Sequence, residues 1–101
     1  MAPRPQSARA TPRRGSSDWP NEVMADYRQE VARRLSLNIL DALGGRSTRS
    51  IALEVGIDPN TLTRIINGEI WCDINTLAKL ERELGTLWPG RLGPTEGPPT
   101  P

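Results

Sequence analysis

The chain has 101 residues, a formal net charge of +1 at pH 7 and 36% hydrophobic residues, enough for one small domain but not for two separate cores. No apolar run approaches the roughly 20 residues of a bilayer-spanning helix, and the N-terminus lacks the apolar stretch of a signal peptide, so we expect a cytoplasmic protein. With a single cysteine, Cys72, and no histidine, neither an internal disulfide nor a Cys/His zinc site is expected, and the commonest general base is missing. We therefore expect no metal, no cofactor and no enzymatic activity.

Proline and arginine are concentrated at the two ends of the chain. Residues 1–17 contain three prolines, four arginines and no acidic residue, and residues 91–101 contain four prolines and two glycines. Because neither composition can form a core, we predict a disordered N-terminal tail (1–17), a folded domain (18–90) and a disordered C-terminal tail (91–101). The first tail is strongly basic, whereas the domain carries eight basic and eleven acidic side chains and is net negative.

The first part of the domain, residues 20–43, is typical of an amphipathic helix. Apolar residues recur at intervals of three and four, and charged residues fall between them. Pro20 suits a first helical position and Gly44 a C-terminal stop. The spacing predicts either one helix of about 20 residues or a break near Asp26 and Tyr27.

Three shorter helices are predicted after it, each bounded by a capping side chain and a glycine. The predicted N-caps are Ser47, Asp58 and Asp73, and the predicted stops are Gly56, Asn67-Gly68 and Gly85. The inner face of the last helix is expected to carry Ile74, Leu77, Leu80 and Leu84. Because no stretch alternates as a strand does, we predict an all-α fold, a compact bundle of about five helices.

The second and third helices are joined by a very tight turn, an arrangement typical of a helix-turn-helix unit. The small residue Ala52 falls where the two helices approach closely, and Gly56 falls where the turn needs a positive φ. The buried positions of this unit are expected to be Ile51, Val55, Ile57, Leu62 and Ile65.

Residues 47–68, STRSIALEVGIDPNTLTRIING, combine this glycine, the small residue, the apolar spacing and a closing Asn-Gly. On these residues, the stretch from residue 46 to residue 88 resembles the lambda-repressor/Cro type of helix-turn-helix domain, the XRE family. With the first helix, the resemblance covers about residues 28–88. It implies a sequence-specific DNA-binding transcriptional regulator, a repressor of bacterial or phage type, that reads the major groove with residues 59–67.

The resemblance also implies which side chains contact DNA. At base edges it places Asn60, Thr61 and Arg64, whose chemistry suits adenine, the thymine methyl group and guanine respectively. For phosphates it suggests Arg46, Thr48, Arg49, Thr63 and Asn67. An arm in the basic tail would consist of Arg4, Arg9, Arg13 and Arg14. A dimer contact is expected at Ile70, Trp71, Leu87 and Trp88.

The expected partners are double-stranded DNA and a second copy of the chain, because a domain of this size reads only a few base pairs. Glu69 lies in the loop after the third helix, where members of the family commonly carry a basic residue, and it would repel a phosphate. One alternative is the antitoxin of a toxin–antitoxin pair that also binds DNA. An alternative of another class is a protein-interaction module that binds no DNA.

Overall fold

The computed structural model describes residues 11–92. It contains four helices: α1 (Tyr27–Leu43), α2 (Thr48–Val55), α3 (Pro59–Ile66) and α4 (Ile74–Leu84). No strand is present among the described residues, which confirms the all-α class. The expected number of about five helices is too high for this part of the chain, because residues 20–26 and 86–92 are irregular. None of the four helices has the length and hydropathy to cross a bilayer.

Helix α1 begins at Tyr27 and not at Pro20, which corrects the longer of the two predictions. The carboxylate of Asp26 accepts hydrogen bonds from the backbone N–H groups of Arg28 and Gln29, at 2.8 and 3.2 Å. This N-cap satisfies two donors of the first turn that have no partner within the helix. Residues 20–26 instead form a loop that folds over the start of α1.

A buried charged cluster attaches this loop to α1. Glu30 is fully buried and accepts hydrogen bonds from the Met24 N–H at 2.8 Å and from Arg33 at 2.7 and 2.8 Å. Arg34 donates to the same carboxylate at 2.9 Å, and Arg33 also donates to the Pro20 carbonyl at 3.0 Å. In the sequence, these charged side chains fall between the apolar residues of the first helix, a position typical of an exposed face. In the structure, the loop before α1 covers Glu30 and Arg33.

Residues 11–17 differ from the expectation of a disordered segment. The Gln29 side-chain amide lies 2.9 to 3.1 Å from the carbonyl oxygens of Thr11, Pro12 and Arg14. The Arg13 N–H donates to the Gly68 carbonyl at 3.0 Å. The segment therefore packs on α1 and on the end of α3, and only residues 1–10 of the predicted tail lie outside the described residues.

The predicted caps of α2, α3 and α4 are confirmed. Their N-cap side chains accept hydrogen bonds from backbone N–H groups one turn into each helix, at 2.6 to 3.0 Å. Gly56 and Gly85 follow the last residues of α2 and α4, and Asn67 follows that of α3. Short-range interactions of the kind visible in sequence set these boundaries.

The core lies between the inner face of α1 and helices α2, α3 and α4, and the Leu87 side chain closes it. The five apolar residues predicted for the helix-turn-helix unit, from Ile51 to Ile65, are all buried. The inner face predicted for α4 is wrong at its first position, since Ile74 is 82% exposed. Ile74 is the first residue after the Asp73 cap, and the buried residues of α4 are Thr76 and Leu80.

Candidate nucleic-acid interface

The turn between α2 and α3 fixes how the two helices meet. Gly56 adopts φ +81°, and the Ile57 N–H donates to the Ala52 carbonyl at 2.8 Å. Ala52 is fully buried on the inner face of α2, as the sequence predicts for this small residue. The left-handed glycine turns the chain within two residues of the end of α2, and α3 begins at Pro59.

Helix α3 buries Leu62, Ile65 and Ile66 against the core. Its opposite face is polar: Asn60, Thr63, Arg64 and Asn67 are exposed, and Thr61 is half-buried. Residues 59–68 contain no acidic side chain. The exposed face of α3 therefore presents amide, hydroxyl and guanidinium groups, which are the groups that hydrogen-bond base edges and phosphates.

The loop residue Glu69 lies against this face. Its Oε1 is 3.5 Å from the Arg64 Nε, and its Oε2 is 4.0 Å from Nη1 of Arg13. The guanidinium of Arg64 remains about half exposed, with 53% of its side chain accessible. The negative charge of Glu69 thus faces two arginines, a contact that the sequence pattern does not reveal because Arg13 comes from the N-terminal segment.

The residues suggested for phosphates lie in different environments. Arg46 is exposed, and its guanidinium donates to the carbonyls of Leu43 and Ala42 at 3.1 and 3.3 Å, which caps the end of α1. Arg49 is exposed on α2, and Thr48 is half-buried at the first position of the same helix.

Of the four arginines suggested for an arm, two are described. Arg13 and Arg14 are exposed in the segment that packs on α1 and on the end of α3. Trp19 attaches the end of this segment, because its indole N–H donates to the Ile66 carbonyl at 2.9 Å. The predictions for Arg4 and Arg9 fall outside the described residues.

The four residues suggested for a dimer contact do not share one surface. Leu87 is 1% exposed and belongs to the core, so its side chain cannot contact a partner, and Ile70 is half-buried against the same core. Trp71 and Trp88 are exposed and, together with Tyr27, line an open groove of about 710 Å³ on the N-terminal half of α1. A dimer contact at Trp71 and Trp88 stays a prediction.

Cys72 is half-buried in the wall of this groove. Burial, together with the nearby carboxylate of Asp73, raises the pKa of its thiol to about 11. At neutral pH the side chain is therefore a neutral thiol and a poor nucleophile. Within residues 11–92, no three His, Cys, Asp or Glu side chains are close enough together to hold a metal ion.

Comparison with protein-family models, with curated proteins and with solved structures gives no match to this chain. The resemblance to the lambda-repressor/Cro type therefore stays a prediction from the sequence.

Proposed function

We propose that this protein is a sequence-specific DNA-binding transcriptional regulator that reads the major groove with α3. The observation that carries the proposal is the solvent-facing side of α3, where Asn60, Thr63, Arg64 and Asn67 lie together without an acidic neighbour on the helix. The buried side holds the helix rigidly against α2, which is the arrangement that lets a second helix enter a groove as a unit.

Base readout is assigned to Asn60, Thr61 and Arg64. Arg64 is the strongest determinant, because a guanidinium makes two parallel hydrogen bonds to guanine and such a pair discriminates by about 1–3 kcal/mol. Its ion pair with Glu69 is exposed and long, and pairs of this kind contribute at most about 1 kcal/mol. DNA can therefore displace Glu69 at small cost.

Phosphate contacts are assigned to Arg49, Thr48, Thr63 and Asn67 around the base-reading side chains. Arg46 contributes less, because its guanidinium caps α1 and would have to give up two hydrogen bonds. The folded domain is net negative, so the positive potential that attracts DNA is local. Arg13, whose N–H donates to the Gly68 carbonyl, adds a charge beside the end of α3, and Arg14 follows it in the chain.

A single copy would read too few base pairs for a unique site. We propose that two copies bind a two-fold operator with half-sites about one helical turn apart. The protein would repress by occupying its own or a neighbouring promoter.

The test is binding of the full-length protein to fragments of its own upstream region at several salt concentrations. Arg64→Ala is expected to lower affinity for the preferred fragment by about 10- to 100-fold and to reduce selectivity. Arg49→Ala should weaken binding to all fragments and flatten the slope of log affinity against log salt by about 0.9. Arg82→Ala, which removes an exposed arginine from the last turn of α4, is the matched control.

If wild type, Arg64→Ala and Arg82→Ala bind every fragment equally weakly, α3 does not read DNA. The proposal would then be wrong, and protein partners would be the next class to examine.

A further inference from the structure

Three aromatic side chains from distant parts of the chain line one open groove. Tyr27 begins α1, Trp71 precedes α4 and Trp88 lies in the C-terminal segment, and their exposed fractions are 49%, 43% and 50%. The groove, of about 710 Å³, has Val31 and Leu35 of α1 at its base. Aromatic rings that are half exposed around one apolar groove are an unusual feature of a small domain and mark a surface that binding covers.

The C-terminal segment of the chain leads to the rim of this groove. The Leu92 N–H donates to the Tyr27 hydroxyl at 3.2 Å. Upstream, the Glu81 carboxylate accepts hydrogen bonds from the N–H groups of Leu87 and Trp88 at 2.8 and 2.9 Å, and the Asn38 side chain donates to the Leu87 carbonyl at 2.8 Å. The described part of the chain therefore ends at Leu92, beside one of the three aromatic side chains.

The nine residues that follow, GPTEGPPTP, contain four prolines. Such a composition favours the polyproline II conformation, and at about 3.1 Å per residue nine residues span roughly 28 Å. Residues 98–101, PPTP, match the Pro-x-x-Pro spacing that aromatic-lined grooves recognise. Glu96 supplies one negative charge, and the groove wall includes Arg28. The Arg28 side chain is 74% exposed and its Nη2 lies 3.4 Å from the Asp26 carboxylate, so Glu96 would share this guanidinium with Asp26.

We propose that residues 93–101, which lie outside the described part of the structure, bind in the aromatic groove of their own molecule. In this arrangement the proline rings pack on Tyr27, Trp71 and Trp88, and Glu96 faces Arg28. The tether at Leu92 favours this occupant over a free partner, because a short linker gives an effective concentration in the millimolar range. The bound segment would cover the groove and compete with any proline-rich partner for it.

The first test is nuclear magnetic resonance of the three indole N–H groups in the full-length protein. In Pro98→Ser/Pro99→Ser/Pro101→Ser, the Trp71 and Trp88 signals are expected to shift. The Trp19 signal should stay, because that indole lies at the end of α3 against the Ile66 carbonyl and Gly68. The control is Pro3→Ser/Pro5→Ser, which replaces two prolines at the other end of the chain and should move neither groove signal.

The second test uses Cys72, the only thiol in the chain, as a probe of access to the groove. A segment with an intrinsic dissociation constant of about 0.1 mM at an effective concentration of about 1 mM is bound about nine-tenths of the time. If the bound segment blocks access to the thiol, Cys72 of the triple proline variant should react with a small maleimide up to about tenfold faster than Cys72 of wild type. The control variant should react at the wild-type rate.

The outcomes separate this occupant from others. Unchanged indole signals and an unchanged Cys72 rate in the triple variant would overturn the proposal. If the difference between wild type and variant disappears on dilution while a dimer dissociates, the segment binds the groove of a second copy, and binding within one molecule is wrong. None of these readouts depends on DNA, so this proposal stands or falls separately from the proposed function.

Discussion

Glu69 and Arg64 form an ion pair at the C-terminal end of α3, with the carboxylate Oε1 3.5 Å from the guanidinium Nε. The Glu69 N–H also donates to the Arg64 carbonyl at 2.9 Å, so the backbone itself holds the two residues together. In the proposed complex the same guanidinium reads a base. Glu69 therefore competes with DNA for Arg64, and its charge opposes the approach of a phosphate.

We expect Glu69→Gln to raise affinity for the preferred DNA fragment by about two- to fivefold, because an exposed ion pair and its repulsion of phosphate amount to no more than about 1 kcal/mol. Titration of labelled DNA at low salt measures the change. Glu83→Gln, which removes an exposed carboxylate from α4, is the control and should leave affinity almost unchanged. A loss of affinity in Glu69→Gln would mean instead that Glu69 orients Arg64 for binding.

Gln29→Ala is expected to release residues 11–14 from α1. The two N–H hydrogens of the Gln29 amide are shared among three carbonyl groups of this segment, and losing the amide should cost about 1–2 kcal/mol of unfolding free energy. Limited trypsin digestion should cut after Arg13 or Arg14 faster than in wild type, while α2 and α3 stay protected. Gln6→Ala, the same substitution outside the described residues, is the control, and equal cleavage rates would show that other contacts hold the segment.

Gly68→Ala should destabilise the protein more than Gly56→Ala. Both glycines have positive φ, +74° and +81°, so each substitution costs about 1–2 kcal/mol of backbone strain. A Cβ at Gly56 meets nothing within 4 Å, whereas one at Gly68 would lie 2.6 Å from the Trp19 ring and 2.8 Å from the Arg13 Cβ. Denaturant unfolding of both variants measures the difference in unfolding free energy. Equal losses of unfolding free energy would mean that the N-terminal segment moves away from residue 68 without a loss of stability.

Stability should decrease in acid partly because of Glu30. Burial would raise the pKa of this carboxyl group, but hydrogen bonds from Arg33, Met24 and Arg34 outweigh burial and lower the pKa to about 2 from an ordinary 4.5. Between pH 4.5 and pH 2 the Glu30 carboxyl group binds a proton more readily in the unfolded chain than in the folded protein. The stability that this carboxylate contributes is therefore complete above about pH 5 and is lost as the pH falls from 4.5 toward 2.

Glu30→Gln tests this directly. At pH 7 the variant should lose about 3 kcal/mol, because Arg33 is left buried without its charged partner. Its unfolding free energy should then change less than that of wild type between pH 5 and pH 2, as measured by denaturant unfolding. If the variant keeps the wild-type pH profile, the acid sensitivity arises from other carboxyl groups, such as Asp73 and Glu81. Hydrogen bonds from the backbone N–H groups of Thr76 and Leu87 lower the pKa values of these two groups.

Several features of this protein follow from its sequence alone. The all-α class, the boundaries of α2, α3 and α4 and the buried residues of the helix-turn-helix unit are predictable because caps, left-handed glycines and helical periodicity act over a few neighbouring residues. The polar face of α3 follows from the same periodicity, since it is the side opposite Leu62 and Ile65.

Other features depend on residues far apart in the chain. Composition predicts disorder for residues 11–17, but Gln29 and the carbonyls at the end of α3 hold them in place. Periodicity assigns Glu30 to a solvated face, but the loop before α1 covers it. Leu87 reads as a candidate contact residue, but it closes the core.

The position of Arg13 beside Glu69 and the meeting of Tyr27, Trp71 and Trp88 in one groove are likewise decided only by tertiary structure. Local sequence thus determined where these helices begin and end. Packing between distant segments decided which charges are buried, which arginines are paired and which aromatic rings share a surface, because such contacts form only once the chain has brought those segments together.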